Sequence, residues 1–252
     1  MNNKNFQTNG YVILKTNLIN NQNFHKLTNH LYSELNYRLK STNIKKLRGY
    51  QMGNINVNPG KYGYKLFELL YEIKFDKIIE IVINKKLKDM IVKFGGNLAL
   101  SGKGEQHFHT DGSYSKEMYL VSIATENIDK NNGPTEVCPG SHINNQPYWK
   151  FFFSKKKKKL ITLNKGEIII RKHCLWHKGT KNKSSKHRLL LSILLFPKNQ
   201  TVQNINKKNE EISFSSNFFS EDYRGIIQEF IYTKLRFIHF SLRLLKSLFK
   251  NT

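Results

Sequence analysis

The chain has 252 residues and a mass of 29.6 kDa, enough for one large domain with its own hydrophobic core. Its 38% hydrophobic and 12% aromatic residues exclude a disordered chain, and its 24% charged residues exclude a polytopic membrane protein. Lysine and arginine number 42 against 18 acidic residues, a formal charge of +24, which indicates either a compositional bias or a polyanionic partner.

The first third of the chain predicts one short strand followed by helices. Residues 11–14 (YVIL) predict a strand, and Phe24, Leu27, Leu31 and Leu35 then recur at helical spacing. Apolar residues at intervals of three and four over residues 62–94 predict two or three short helices. We expect the glycine pair 95–96 to end them.

The texture changes from residue 97 onwards to short β-rich runs separated by turn residues. These runs lie at residues 118–124, 135–138, 168–170 and 189–196. Many short strands at such intervals predict a sandwich or barrel. Residues 198–224 are polar and irregular, and a final helical segment is expected from about residue 225 to 250.

The cysteines and the N-terminus both favour the cytoplasm as the location. Cys138 and Cys174 match no disulfide framework, which indicates free thiols in a reducing compartment. The first ten residues contain no apolar run typical of a secretory signal, and no run of about 18 apolar residues could span a bilayer.

His109 and Asp111 form a His-x-Asp pair within the sequence QHFHTDG. Residues i and i+2 of a strand point to the same face, so the imidazole and the carboxylate can bind one metal ion. A His-x-Asp pair alone is weak evidence, because it occurs by chance in many chains of this composition.

A strand that ends in His177, followed by Arg188, strengthens the case for a metal site. Two histidines and one carboxylate on one face of an octahedral metal leave three positions open, the arrangement of non-haem Fe(II) oxygenases. The guanidinium of Arg188 is a permanently charged fork that suits a carboxylate. The combination fits a keto-acid cosubstrate.

Three sequence blocks resemble the phytanoyl-CoA dioxygenase family of Fe(II)- and 2-oxoglutarate-dependent oxygenases. Residues 106–114 (QHFHTDGSY) are similar to its Gln-x-x-His-x-Asp-Gly segment, and residues 126–142 contain similar Asn-Gly-Pro and Pro-Gly-Ser-His turns. Residues 166–188 resemble its Gly-Asp strand, distal histidine, Asn-x-Ser and arginine. With the entry strand, the resemblance spans roughly residues 8–197.

The resemblance implies a site and a reaction. His109, Asp111 and His177 would be both the catalytic residues and the iron ligands, and Arg188 would bind the distal carboxylate of the cosubstrate 2-oxoglutarate. With O2 as the second cosubstrate, the family forms succinate and CO2 and hydroxylates its substrate; Asp111, where related halogenases have a small residue, favours hydroxylation. Gly179 stands where many members have a serine or threonine that contacts the cosubstrate, and Thr180 is the candidate substitute.

The resemblance also implies the fold, a double-stranded β-helix of the jelly-roll, cupin-like type, mainly β with flanking helices. We expect an oxygenase domain over residues 1–200, with N-terminal helices at 20–95 and the β-helix core at 97–197. A linker at 201–224 and a basic amphipathic C-terminal helix at 225–252 would follow.

Several alternatives remain open. His107 shares a predicted strand face with His109, and His173 lies near His177, so either could compete as a ligand. The chain could also be a catalytically inactive β-helix protein, a binding module for another metal, or a basic protein that binds a membrane surface or a nucleic acid. No nucleic-acid-binding motif is present.

Two basic segments each have a functional and a purely structural interpretation. The five lysines at 155–159 either occupy a solvated loop or attract an anionic small-molecule substrate to the cavity mouth. In residues 225–250 a wide apolar arc bordered by basic residues is typical of an interfacial membrane helix, and equally of a helix packed on the core or on a second subunit.

Overall fold

The computed structural model describes residues 3–112, 117–144, 146–198 and 210–249. Its strands, in chain order, are β1 (Tyr11–Leu14), β2 (Asn54–Asn58), β3 (Met90–Ala99), β4 (Tyr119–Ala124), β5 (Thr135–Val137), β6 (Lys159–Ile161), β7 (Ile168–Lys172), β8 (His177–Gly179), β9 (Arg188–Pro197) and β10 (Ser213–Ser215). Its α-helices are α1 (Asn3–Asn9), α2 (Gln22–Ser41), α3 (Lys61–Glu72), α4 (Phe75–Ile83), α5 (Tyr148–Phe153), α6 (Tyr223–Lys234) and α7 (Arg236–Phe249).

Two antiparallel sheets form the core. The larger has the strand order β1-β7-β4-β9-β3-β2-β10, and the smaller has the order β6-β5-β8. Apolar residues of both sheets share one cluster, which includes Val137 and Ile161 from the small sheet and Ala124 and Ile169 from the large one. The sheets therefore face each other as in a jelly roll, and the predicted double-stranded β-helix is confirmed.

The alternation of side chains along β9 separates the core from the site. Leu189, Leu191, Ile193 and Leu195 are fully buried in the large cluster beneath the helices. Because successive side chains of a strand point to opposite faces, the residues between them, beginning with Arg188, face the small sheet. One strand thus anchors the helical layer with one face and lines a cavity with the other.

Helix α2 forms as its apolar spacing predicts. The side chain of Asn21 caps it by accepting hydrogen bonds from the backbone N–H groups of Asn23 (2.8 Å) and Phe24 (3.1 Å). Its buried face carries the four predicted positions, Phe24, Leu27, Leu31 and Leu35. Helices α1, α3 and α4 also contribute to the large cluster, and the helices together hold more residues than the strands.

The boundary between helices and core differs from the sequence prediction. The glycine pair 95–96 lies in the middle of β3, where it pairs with Ser192 and Leu191 of β9. The ladder between β3 and β9 runs the full length of both strands, and this pairing overrides the tendency of glycine to end a regular element. The range 20–95 therefore holds β2 and part of β3 as well as helices.

The C-terminal region also differs from the prediction. Within the expected linker 201–224, residues 201–209 lie outside the described part, but β10 adds an edge strand to the large sheet by pairing with β2. The expected single helix at 225–252 is two helices, α6 and α7, separated at Leu235; residues 250–252 are not among those described. No helix of the described residues is long and apolar enough to cross a bilayer.

Candidate active site

His109 and His177 are brought together by backbone pairing. They form an isolated antiparallel bridge, in which the N–H of each donates to the carbonyl of the other at 2.8 and 2.9 Å. Directly opposed residues of an antiparallel pair place their side chains on the same face, and the two imidazole centroids are 4.3 Å apart. The pairing thus joins two histidines separated by 68 positions in the sequence.

Asp111 completes a three-residue cluster. Its Oδ1 lies 3.7 Å from Nε2 of His109 and 3.5 Å from Nε2 of His177. One ligand atom from each of the three residues lies within 4.8 Å of the others, so a single metal ion could contact all three. The backbone N–H of Asp111 donates to the carbonyl of His173 at 3.0 Å, which holds the carboxylate on the face where the imidazoles lie.

The hydrogen bonds of the two imidazoles leave the correct nitrogen free. Nδ1 of His109 lies 2.9 Å from the carbonyl of His107, and Nδ1 of His177 lies 2.9 Å from the carbonyl of Leu175. A carbonyl only accepts, so each Nδ1 carries the proton and each Nε2 presents a lone pair to the cluster. This is the tautomer that a metal-binding histidine needs.

Electrostatics keep the cluster in the ligand form. Burial and then the neighbouring His177 lower the pKa of His109 to about 3, so its imidazole stays neutral. Burial opposes ionisation of Asp111, but Arg171, with Nη2 2.6 Å from Oδ2, and the two imidazoles outweigh it and hold the carboxyl pKa well below its usual range. A neutral imidazole beside an ionised carboxylate suits metal binding.

Arg188 begins β9 and is buried, with 3% of its surface exposed. Its Nε donates to the carbonyl of Asn132 at 3.3 Å, and Nη2 donates to the carbonyl of Gly133. Nη1 is buried without a partner among the described residues. Burial lowers the guanidinium pKa to about 10, although Glu126 and Tyr32 act to raise it, so the group stays charged at neutral pH. A buried cation with an unused donor is suited to a carboxylate ligand.

A cavity of about 420 Å³ between the two sheets contains all four residues. Its lining also includes the polar residues Gln106, Asn97 and Ser192 and the apolar residues Leu120, Ile128, Leu163 and Leu194. A mainly apolar cavity with a few convergent polar groups is typical of a site for a small organic molecule.

A family model for phytanoyl-CoA dioxygenase matches residues 74–190. The matched segment holds the His109, Asp111 and His177 cluster and Arg188. Over these residues the chain is similar to the phytanoyl-CoA dioxygenase family. A search among curated proteins found no match.

Several solved structures share the fold at low sequence identity. The epimerase SnoN, crystallised with Fe3+, α-ketoglutarate and nogalamycin RO, is 12% identical and has a TM-score of 0.59, with 77% of this chain and 82% of that chain covered. AviO1 from Streptomyces viridochromogenes Tue57 is 13% identical, has a TM-score of 0.59 and covers 80% and 96%. EctD from S. alaskensis, with 2-oxoglutarate and 5-hydroxyectoine, is 16% identical, has a TM-score of 0.56 and covers 77% and 74%.

Gly179 stands at the position where many phytanoyl-CoA dioxygenase relatives carry a serine or threonine, and the neighbouring Thr180 does not replace that hydroxyl. The hydroxyl of Thr180 donates to the carbonyl of Pro134 at 2.7 Å, and Thr180 does not line the cavity. Gly179 does line it, and its N–H donates to Oε1 of Gln106 at 2.6 Å. The structure therefore brings His109, Asp111, His177 and Arg188 together and leaves Thr180 outside.

The two competing histidines lie elsewhere. The ring of His107 packs against those of Tyr232 and His239, with centroids 4.2 and 4.7 Å away. His173 is buried and its Nδ1 lies 3.0 Å from the carbonyl of Met118. Neither belongs to the three-residue cluster.

Two cavity residues are not among the site residues that the sequence predicts. Arg171 is the penultimate residue of β7 and lies two positions after Ile169, which places both on the cavity face, a signal that the sequence did contain. Phe218 lines the cavity with its ring at right angles to that of His109, at a centroid distance of 4.6 Å. It follows β10 in a segment expected to be a linker, so no sequence signal identified it.

Proposed function

We propose that this chain is an Fe(II)- and 2-oxoglutarate-dependent dioxygenase that hydroxylates a small or lipid-like organic substrate. Succinate and CO2 would be the co-products, and O2 the second cosubstrate. The observation that carries the proposal is the joint presence, in one cavity, of three metal-ligand side chains within 4.8 Å and a buried arginine with an unused donor.

The residues fit the cofactor and the cosubstrate by their chemistry. Nε2 of His109, Nε2 of His177 and a carboxylate oxygen of Asp111 would hold iron, because two imidazoles and one carboxylate form the donor set that Fe(II) oxygenases use. Arg188 would hold the distal carboxylate of 2-oxoglutarate. Iron with bound 2-oxoglutarate supplies the activation of O2; the protein binds and orients the reactants and limits the access of water.

Charge and cavity lining support the substrate class. The apolar part of the cavity, with Leu120 and Leu194, suits an aliphatic or lipid-like body. The formal charge of +24 favours the approach of an anionic substrate. Peripheral contact with a membrane through residues 225–250 belongs to the same proposal, because a lipid-like substrate is met at a membrane surface.

The complete ligand set favours an active enzyme over an inactive β-helix protein. A buried guanidinium with an unpaired donor costs stability, and that cost is offset only when the group binds a ligand. Similar folds include an epimerase. The outcome of the reaction is therefore part of the test.

The proposal is tested by incubating the iron-loaded protein with 2-oxoglutarate, O2 and a panel of amphiphilic acids, and measuring succinate and product mass together. We expect at least one compound to stimulate succinate release and to gain one oxygen atom, with no stimulation in His177→Ala. A product of unchanged mass would replace hydroxylation by epimerisation. Absence of any 2-oxoglutarate turnover by the iron-loaded protein, with or without a substrate, would overturn the proposal.

A further inference from the structure

Helices α5 and α7, about 80 residues apart in the sequence, lie side by side. The rings of Phe152 and Phe240 are 4.5 Å apart, and the backbone N–H of Trp149 donates to Oγ of Ser247 at 3.1 Å. The lysine-rich segment that follows α5 therefore lies beside the C-terminal helix. Two basic segments that are separate in the sequence form one surface.

The inner side of α7 is firmly attached to the protein. Arg243 lies over the ring of Tyr148 at 3.9 Å, and its Nη1 donates to the carbonyl of Phe108 at 2.6 Å. Phe240 and Leu244 pack against the buried cluster that contains Tyr148 and Trp176. The orientation of α7 is thus set by specific contacts, and so is the identity of the side chains that it leaves exposed.

The outer side of α5 and α7 exposes large apolar side chains. Phe153 is 67% exposed, Phe237 81% and Phe249 84%. Four further residues of α7 are about half exposed: Ile238, Leu242, Leu245 and Leu248. We call this surface, together with residues 154–158, the aromatic-basic face. Soluble proteins seldom leave so many large apolar side chains together without a partner.

The charge of this face has a single sign. Neither α5, α7 nor residues 154–158 contain an acidic residue, whereas Lys150, Arg236, Lys246 and the lysines at 155–158 are exposed. Burial and the cations Arg243, Arg236 and Lys246 together lower the pKa of His239 on α7 to about 4. The electrostatic potential here is positive.

A cleft of about 190 Å³ lies between α5 and α7. Four cations line it, Lys156, Lys158, Lys178 and Arg236, against one acid, Glu105. Nζ of Lys158 and Nζ of Lys178 lie 5.0 and 5.4 Å from the centroid of the same ring, that of Phe108. Lys178 pairs with Glu105 at 3.2 Å and Glu136 at 3.4 Å, and Arg236 pairs with Glu105 at 3.6 Å. Lys156 and Lys158 have no acidic partner among the described residues, so a bound anion would pair with these two lysines.

We propose that the aromatic-basic face docks on an anionic phospholipid surface, with its phenylalanines in the headgroup boundary and a lipid phosphate in the cleft. An exposed apolar helix face bordered by cations is typical of proteins that bind at such an interface. The lysines are attracted to the anionic headgroups, and the phenylalanine rings are removed from water. A second copy of the chain fits less well, because a symmetric interface would oppose lysines with lysines. The inference deepens the membrane contact of the proposed function, but its test measures lipid binding alone, so failure of the oxygenase reaction would not overturn it.

The test is co-sedimentation of the full chain with vesicles of phosphatidylcholine, alone and mixed with phosphatidylserine. We expect binding about a hundredfold tighter on the mixed vesicles, falling with added salt, because several cations contribute to the attraction. Equal binding to both vesicles, or no binding to either, would overturn the proposal.

Two variants and two matched controls locate the surface. Phe153→Ser with Phe237→Ser, and Lys156→Gln with Lys158→Gln, should each weaken binding to mixed vesicles at least about tenfold. Tyr37→Ser with Ile81→Ser, and Lys40→Gln with Lys45→Gln, change exposed residues outside the face and should leave binding unchanged. Equal losses in variants and controls would contradict the proposal, as would a dimer in sedimentation velocity that the Phe153 and Phe237 changes dissociate.

Discussion

The guanidinium of Arg171 holds one oxygen of Asp111 and leaves the other to the two imidazoles. Nη2 lies 2.6 Å from Oδ2, whereas Oδ1 lies 3.5 Å from Nε2 of His177 and 3.7 Å from Nε2 of His109. Arg171 therefore fixes the orientation of the carboxylate through the oxygen that does not face the imidazoles, and it does so without a metal ion. Residues that orient a ligand in this way commonly change metal affinity by about ten- to a hundredfold.

We predict that Arg171→Met weakens Fe(II) binding about tenfold, because Asp111 loses the partner that fixes its orientation. Anaerobic titration of the apoprotein with Fe(II) measures the effect. Arg171→Lys keeps the charge without the planar fork and should give an intermediate affinity. Unchanged affinity in Arg171→Met would show that the carboxylate is oriented without this contact.

Replacement of Arg188 separates cosubstrate binding from metal binding. Arg188→Met should raise the dissociation constant for 2-oxoglutarate about a hundredfold or more, because a buried charge-assisted contact is lost, while Fe(II) affinity stays within a few-fold. Equilibrium binding of 2-oxoglutarate to the iron-loaded protein checks this. Arg188→Lys is the matched control and should restore little, since it cannot form the bidentate pair.

The buried carboxylate of Glu229 attaches α6 to the rest of the protein. It accepts hydrogen bonds from the N–H groups of Gly49 (2.8 Å) and Gln51 (3.1 Å), and lies 3.4 Å from Nη1 of Arg48. We predict that Glu229→Ala lowers the free energy of unfolding by about 2 kcal/mol, measured by denaturant titration. The adjacent exposed change Gln228→Ala should have little effect, and equal losses in both would point to helix propensity instead of these bonds.

The pKa of His239 predicts a loss of stability in acid. Burial and the nearby Arg243, Arg236 and Lys246 lower it from 6.5 to about 4, so between these values the unfolded chain binds more protons than the folded one. The contribution of His239 to the free energy of unfolding is therefore fully present above about pH 6.5, and it is lost as the pH is lowered toward about 4.

Urea titrations at about pH 7 and about pH 5 measure this dependence. In His239→Gln the acid loss should shrink, by less than about 1 kcal/mol because the imidazole is partly exposed. His30→Gln, on the exposed side of α2, is the control and should show the same difference in unfolding free energy between the two pH values as the wild type. A slope in His239→Gln as steep as that of the wild type would contradict the assignment.

The parts of the fold that sequence could predict are those with a local signal. Strand β1 follows from its short apolar run and the buried face of α2 from its helical spacing, and the family resemblance on three blocks indicated the double-stranded β-helix. Spacing and resemblance likewise nominated His109, Asp111, His177 and Arg188, which the structure brings into one cavity.

What the sequence could not predict depends on distant pairing. Residues 213–215 form β10 because they pair with β2, about 155 positions earlier in the sequence. The glycine pair 95–96 lies within a strand because β9 pairs with it. The sequence places Thr180 beside the position of the missing hydroxyl, but its side chain donates to the carbonyl of Pro134. Phe218 reaches the cavity only because β10 is part of the sheet.

Anaerobic addition of 2-oxoglutarate to the Fe(II)-loaded protein tests the central claim most directly. We predict a visible metal-to-ligand charge-transfer band, which arises when 2-oxoglutarate chelates Fe(II), and its strong reduction in His177→Ala and Arg188→Ala. A folded protein with confirmed iron content that gives no band, or a band that survives both substitutions, would contradict the assignment of this cavity as a 2-oxoglutarate site.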